Sequence, residues 1–511
     1  MRIRIGLDFG TSNVVVAYPQ GDQVNVHSWG LLGDGHLLPS YVQLTARGTS
    51  IGAPARQAWE RGDSNAYRRF KLRLGRALES AEGPTAQELT THLIRELVRN
   101  LIASPTYVSD ILAIESAVVT VPHAWTPTQR EATRVAVEAA GLSVSRLLDE
   151  PVAAAVHFAR LRQLPTSETL LICDMGAGTF DVTQVQVEGM KMTVWPRGTV
   201  ANRFAGGYAD ACIARRILAR ITGAPRNLED FLGESVDPLL RPLLHEVERA
   251  RLNLNFAAAI ARTQGEPLSD LSPHLVPIRV EQGASQSYPL RFEEMVDWME
   301  DLTRETQELL ATLLADAVGP RPTGVVLAGG MSRMLPVQDA IAVATGLAVD
   351  RLQLFRGDAD CAIAQGAAVV ARGDVTVEQA LPWGIGLVSN PYGDARQEQN
   401  QIVIPAGTPL PATRRSGALR LRRDTQVLEL TVTVGNSERL AECVLVGHPV
   451  TLTASTRALT PIEFEFALTV DRQLAITAIC GNRREPSVVV PLHEAWTMGL
   501  PGGAALTSER R

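Results

Sequence analysis

Two carboxylates in this chain keep the same local company. Asp8 closes the run Ile5-Gly6-Leu7 and is followed by Phe9-Gly10-Thr11-Ser12-Asn13, while Asp174 closes Ile172-Cys173 and is followed by Met175-Gly176-Ala177-Gly178-Thr179. A second apolar run comes next in each case, Val14 to Ala17 and Val182 to Val187. An apolar run, a Gly-rich turn and another apolar run predict a strand-turn-strand hairpin. Glycine lets backbone N–H groups approach a phosphate with no Cβ in the way. A carboxylate at a strand end can hold Mg²⁺ through the water that this ion retains. Alone, such a hairpin is an ordinary turn, and the hydroxyls of Thr11 and Thr179 could serve only to form it. Two of them, each with its Asp, predict a duplicated fold that grips one nucleotide's phosphates from both sides. Asp8 and Asp174 would hold the Mg²⁺ shell. Gly10, Thr11, Ser12, Asn13, Gly176, Ala177, Gly178 and Thr179 would line the phosphates, and Asp181 would organise the second hairpin.

The elements that must carry these turns can be read along the chain. Residues 1–372 alternate strand-like and helix-like patterns, as an α/β protein does. Leu112 to Val121 predicts a strand ending at Pro122; Thr126-Pro127-Thr128-Gln129 then caps a helix over Arg130 to Ala140 that stops at Gly141. Asp149-Glu150-Pro151 opens a helix over Val152 to Leu161. Val325 to Ala328 predicts a strand running into Gly329-Gly330, with a helix over Pro336 to Thr345 after it. A linker is expected at 373–381. From 382 to 495 the texture is all-β, with short strands at Leu419 to Leu421, Val427 to Val434, Cys443 to Val446, Ile462 to Val470 and Leu474 to Cys480. The tail, 496–511, is expected to be disordered from Gly502 on.

Composition narrows the function. A chain of 511 residues suggests about two to four domains. It is 45% hydrophobic and 20% charged, with a net charge of −6, which argues against a nucleic-acid footprint. The opening Met1-Arg2-Ile3-Arg4-Ile5 contains no apolar h-region, and no stretch of 18 apolar residues occurs, so a cytoplasmic protein with no membrane span is expected. Five scattered cysteines, with no Cys-x-x-Cys, read as buried thiols.

The ordered set of motifs resembles the seventy-kilodalton heat-shock chaperone family, DnaK-like, in its actin-like ATPase domain. Besides the hairpins it includes Val119-Thr120-Val121-Pro122, Gln129-Arg130-Glu131-Ala132-Thr133, Leu148-Asp149-Glu150-Pro151-Val152-Ala153-Ala154-Ala155, Ala205-Gly206-Gly207, Val247-Glu248-Arg249-Ala250-Arg251, Ala328-Gly329-Gly330-Met331-Ser332-Arg333 and the Asp360 to Val369 helix. The resemblance implies a duplicated actin-like (ribonuclease-H-like) α/β ATPase domain followed by a small β-sandwich. It implies slow ATP hydrolysis with ATP/ADP and Mg²⁺. Lys71, in Phe70-Lys71-Leu72-Arg73-Leu74-Gly75-Arg76, would orient water and γ-phosphate; on its own residues this run also reads as a solvated basic helix end. Glu150 would position water or Mg²⁺, or merely cap its helix. Gly206, Gly207, Gly329, Gly330 and Ser332 would border the nucleotide, and Arg333 would stack on adenine. Glu248 and Arg251 would close the other side, or form an exposed i,i+3 pair. Asp360 would close the site near ribose and Mg²⁺. Pro122 and Arg130 resemble the family's relay between ATP site and partner domain.

Departures from the pattern bear on coupling. The second turn reads Gly-Ala-Gly, the acid after Gly206-Gly207 stands one position early at Asp210, and Asp374-Val375-Thr376-Val377-Glu378 is a poor copy of the family's linker. The C-terminal part resembles the family's peptide-binding sandwich faintly, through Pro382-Trp383-Gly384-Ile385-Gly386, Ile402 to Pro411 and Ile462 to Phe466 with Leu474-Ala475-Ile476. No helical lid is expected after it. The resemblance thus implies an ATP-hydrolysing chaperone that binds unfolded polypeptide segments or a dedicated protein partner, served by a J-domain co-chaperone and a nucleotide-exchange factor. An actin-superfamily scaffold or filament protein and a small-molecule kinase are the alternatives.

Overall fold

The computed structural model describes residues 2–490 apart from 76–82, 104–112, 124, 126, 163–166, 190, 203, 225, 233–235, 280–284, 317–320, 348–351, 355–358, 374, 376, 382–383, 390–397, 422, 436, 441–442 and 471–472. Leu112, the Thr126 cap, Asp374 and Thr376, the Pro382-Trp383 start of the sandwich motif and the 496–511 tail therefore lie outside the described residues.

Two sheets of the same plan organise the first 372 residues. In the first lobe the strand order is Gln23–Val26, Asn13–Gln20, Arg2–Phe9, Ala113–Val121, Val144–Asp149. In the second lobe the corresponding order is Lys191–Asn202, Phe180–Glu188, Glu168–Met175, Gly324–Ala328, Leu352–Leu354. Each begins with an antiparallel hairpin whose first strand then pairs in parallel with a strand more than 100 residues away. In each, the strand paired in parallel leads into a helix, Pro127–Ala139 and Leu335–Thr345, and the last strand leads into another, Glu150–Arg162 and Ala362–Arg372. The predicted hairpins, strands and helices of this region agree with these elements to within a few residues, as helix and strand ends usually do.

The small residues of the two closing helices have a physical purpose. A Cβ on Gly366 would lie 1.8 Å from the Ala153 carbonyl oxygen, and one on Gly6 would lie 2.3 Å from the Ala368 amide nitrogen. The Glu150–Arg162 and Ala362–Arg372 helices therefore cross at backbone contact beneath the cleft, joining the lobes through one shared core. Helix Pro127–Ala139 stops before Gly141, whose φ of 91° is the left-handed end that glycine tolerates.

The C-terminal strands form two further sheets with a core of their own. One contains Ile385–Ser389, Gln399–Ile404, Thr425–Val434 and Val444–Thr456; the other contains Ala412–Arg415, Pro461–Leu468 and Leu474–Cys480. Phe464, Phe466 and Leu468 alternate inward along one strand and are buried with Leu430, Val432 and Ile476. Within the stretch read as a linker, Val377–Ala380 forms a strand that pairs in parallel with Met192–Val194 of the second lobe and antiparallel with Pro409–Leu410. A hydrogen bond from Gln473 Nε2 to Glu131 Oε2 (3.2 Å) ties this region to the first lobe. Among the described residues no helix is long and apolar enough to cross a membrane, and the five cysteines are buried and form no disulfide.

Candidate functional site

Both hairpins end at one cleft of about 610 Å³, within the range of small-molecule sites. In each turn the first glycine's amide closes the loop: Gly10 N donates to Asn13 O (2.9 Å), and Gly176 N donates to Thr179 O (3.1 Å). The turns meet closely, for a Cβ on Gly178 would lie 2.7 Å from Thr11 Oγ1. Ser40 braces the first turn, its hydroxyl on Gly10 O (2.8 Å) and its amide on Ser12 O (2.7 Å). Gly206 and Gly207 brace the second, donating to the carbonyls of Gly176 (3.0 Å) and Ala177 (2.8 Å).

The cleft brings together Asp8, Gly10, Thr11, Ser12, Asn13, Lys71, Glu150, Asp174, Gly176, Ala177, Gly178, Thr179, Gly206, Glu248, Arg251, Gly329, Gly330, Arg333 and Asp360. Two of the residues expected there stand aside. Gly207 lines a small adjoining pocket with Arg69, and Ser332 is fully buried with its hydroxyl on Gly329 O (2.7 Å), shaping the turn. Gly329 has φ 76°, and a Cβ on it would strike the Met175 carbonyl and Asp174 Oδ1, so the turn after Ala328 lies directly against the second hairpin.

Lys71 is not the solvated end of a basic run. It is 3% exposed, its ammonium donates to Glu150 Oε1 at 2.8 Å, and it sits 5.6 Å from the ring of Phe9 and 5.2 Å from that of Trp125. Glu150 is buried at the first turn of its helix, where exposed N–H groups favour a carboxylate. Around this pair stand three more buried carboxylates. Burial, and then the Glu150 charge, push Asp8 up to about 7, against Lys71 and the Thr120 hydroxyl, which donates to Asp8 Oδ1 at 2.7 Å. Burial and Glu150, joined by Asp181 and Asp8, hold Asp174 well above the carboxylate range. Burial and Glu150 push Asp181 up to about 7.

Four carboxylates thus share one ammonium. Such a site needs a further cation for its acids to ionise together. Among the described residues no three acidic or imidazole groups converge closely enough to ligate a metal directly. Oxygen donors in excess of positive charge, spaced too widely for direct ligation, fit an ion held through its water shell, as Mg²⁺ is.

At the other end of the cleft the arrangement differs from expectation. Arg251 is 3% exposed and makes no pair with Glu248; it donates to Asp210 Oδ1 (2.7 Å) and Oδ2 (3.3 Å) and packs on Met331 Sδ (2.9 Å). Asp210 comes from the Gly206–Thr222 helix, 41 positions earlier, so the acid that stands one place early is the acid that holds this arginine. Glu248 stays open to the cleft, its carboxyl pushed up by desolvation and Asp210. Arg333 Nη2 pairs with Asp360 Oδ2 at 3.1 Å. Arg130 is fully buried with its guanidinium on Asp149, whose other oxygen meets His123. Sequence reasoning missed the parts played by Thr120, Trp125 and Asn255, which meet Asp8, Lys71 and Leu335 across long separations in sequence, and by Phe256, which lines the cleft from an exposed position; Thr120 lies inside a quoted motif, but nothing local says that it reaches Asp8.

Two lobes of one plan, a cleft between them and a separate β region define a duplicated α/β protein built to hold a ligand between its halves. The Hsp70 protein family model matches residues 84–447, and the chain belongs to the Hsp70 family. It is 28% identical over 416 residues to the chaperone protein DnaK of Deinococcus radiodurans, a match covering 75% of this chain and 63% of that protein, less than two thirds of its length. It is 26% identical over 547 residues to the chaperone protein HscA homolog of Neisseria meningitidis serogroup A, covering 98% of this chain and 80% of that one. It is also 26% identical over 524 residues to the chaperone protein DnaK of Thermotoga maritima, covering 95% and 80%. Proteins of this family are ATP-dependent chaperones, with an actin-like ATPase domain and a β-sandwich.

Proposed function

We propose that residues 1–372 bind and slowly hydrolyse ATP in the cleft, and that the β region, 382–495, binds extended polypeptide segments or a dedicated partner, across the 373–381 connection. The observation that carries this is the buried Lys71–Glu150 pair lying between two Gly-Thr turns, each with a carboxylate at its strand end. Asp8 and Asp174 would hold Mg²⁺ through water; when bound, the ion supplies positive charge to the β- and γ-phosphoryl oxygens. The amides and hydroxyls of residues 11–13 and 177–179 bind the phosphates, while the Gly10 and Gly176 amides close their turns. An ammonium has three N–H donors. Lys71 spends one on Glu150, leaving two to orient water and a γ-phosphoryl oxygen, and Glu150 fixes where that ammonium sits. Gly329, Gly330, Arg333, Glu248 and Asp360 border the nucleoside end. Catalysis of this kind is positioning plus electrostatics.

Peptide capture by the β region would use main-chain hydrogen bonds along an extended segment, with specificity from its alternate side chains. J-domain and nucleotide-exchange partners, and a cytoplasmic setting, go with this reading. Lys71→Ala should raise the hydrolysis barrier by about 2–4 kcal/mol while ATP affinity changes little, because the contact acts in the transition state. Single-turnover hydrolysis checks it, with Lys71→Ala/Glu150→Gln alongside so that the uncompensated Glu150 charge is not mistaken for catalysis. Turnover at the parent rate would reduce Lys71 to a structural charge. A fluorescent apolar peptide titrated with and without ATP tests the β region, and any ATP effect on peptide affinity must be returned in equal measure.

A further inference from the structure

Two of the polar side chains that the helix Arg241–Gln264 brings to the base end of the cleft are already committed. Arg251 is held by Asp210. Asn255 is spent on both atoms, Oδ1 accepting from Leu335 N (2.8 Å) and Nδ2 donating to Arg333 O (3.0 Å). Beyond Glu248, which lies toward the phosphate end of the helix's cleft face, what the same helix leaves free for a ligand is apolar. Leu252 and Phe256, one turn apart, both line the cleft, yet they are 48% and 69% exposed. Their neighbours on the buried side, Val247, Leu254 and Ala258, supply the packing that fixes the helix, so neither exposed residue is needed for the core. The cleft runs without a break from the phosphate turns through Gly329–Arg333 to these two side chains, and an apolar pair beside a ligand cleft marks a contact surface.

We propose that Leu252 and Phe256 form the wall against which the nucleobase packs, Phe256 by stacking, in the role the sequence suggested for Arg251. The inference rests on the ATP reading above and makes base recognition here a contact with the face of the ring. Stacking of a base on an aromatic side chain is worth enough that truncating Phe256 should weaken ATP binding by about tenfold.

Three probes test it by calorimetric titration: Mg·ATP, Mg·ADP and Mg·tripolyphosphate, which has the phosphates and no base. In Phe256→Ala both nucleotides should bind about tenfold more weakly, tripolyphosphate should bind as to the parent, and Phe256→Trp should restore the nucleotides. Unchanged nucleotide affinity in Phe256→Ala overturns the proposal. An equal loss for tripolyphosphate also overturns it, because Phe256 would then act on the shape of the whole cleft. If the parent binds tripolyphosphate but no nucleotide more tightly, the phosphate site stands and the base wall falls. A parent that binds none of the three overturns the ATP reading itself and this inference with it.

Discussion

In the first hairpin Asp8 lies opposite Val15 across the turn and beside Thr120 on the parallel neighbour. In the second, Asp174 lies opposite Asp181 and beside Ala328. The backbones correspond strand for strand and close their turns with equivalent hydrogen bonds. The side chains around the two carboxylates do not correspond. Asp8 has a hydroxyl donor and an apolar partner; Asp174 has a methyl in place of the hydroxyl and a second acid in place of the valine. Burial raises both, but Asp181 adds repulsion at Asp174, and the Thr120 hydroxyl relieves Asp8. Duplication accounts for the scaffold, and divergence of two facing residues makes one half of the site far more dependent on an added cation than the other.

That asymmetry can be broken by neutralising each acid in turn. Asp174→Asn should cost the most, lowering Mg²⁺-dependent ATP turnover by about 10²–10³-fold, the scale of losing one preorganised electrostatic contact. Asp8→Asn should cost less, since the Thr120 hydroxyl already carries part of the stabilisation there. Steady-state turnover across a Mg²⁺ titration decides the order, and an equal or larger loss in Asp8→Asn would show that the two sites are equivalent despite their surroundings.

The duplicated hairpins and their Asp residues were legible because local signals carry them: an apolar run, glycines, a hydroxyl. So were the closing helix at Glu150-Pro151 and the alternating Phe464-Phe466-Leu468 strand. The side chains beside each acid were not. Whether Asp8 meets Thr120, or Asp174 meets Ala328, depends on a parallel register between strands over 100 residues apart, and no local pattern states a register. Arg251 misled for the same reason, since Asp210 reaches it only once two helices pack. The strand expected over Cys443 to Val446 runs as Val444–Thr456, because Gly447 and Pro449, turn signals in sequence, are tolerated in the outer strand of its sheet. Val377–Ala380 escaped notice because four residues with one pairing partner on each side leave little periodicity to read.

A smaller effect should appear in stability with no nucleotide or Mg²⁺ present. Asp8 folds with its pKa raised to about 7, above its ordinary value of 3.8. Its contribution to stability is therefore fully present below about pH 4 and is lost as pH rises through 7, where the buried carboxyl must ionise. The loss is on the order of 1 kcal/mol per pH unit for one such proton. Asp8→Asn, which has no charge to bury, should match the parent near pH 4 and become the more stable of the two as pH rises to 7 and above. Thermal unfolding of both proteins across that range measures the gap, and a gap that shrinks with rising pH would contradict the burial argument. Saturating Mg·ATP should shrink it, because the bound cation offsets the charge that made Asp8 costly.

The finest test makes the first hairpin resemble the second. Thr120→Val keeps the shape of a fully buried side chain and removes only the hydroxyl, leaving Asp8 with an apolar neighbour as Ala328 leaves Asp174. One hydrogen bond to a carboxylate is worth about 1.5–3 kcal/mol when the acid is charged and less when it is protonated. The Asp8 pKa should therefore rise above its present value of about 7. At pH 8 the variant should bind Mg·ATP less than about tenfold more weakly than the parent, and at pH 6, where Asp8 is largely protonated in either protein before binding, both should bind weakly. Competition titrations over that range show whether the pH at which affinity falls off moves upward. An unchanged midpoint would mean that burial and Glu150 alone set the charge of Asp8, and that the two hairpins differ only through Asp181.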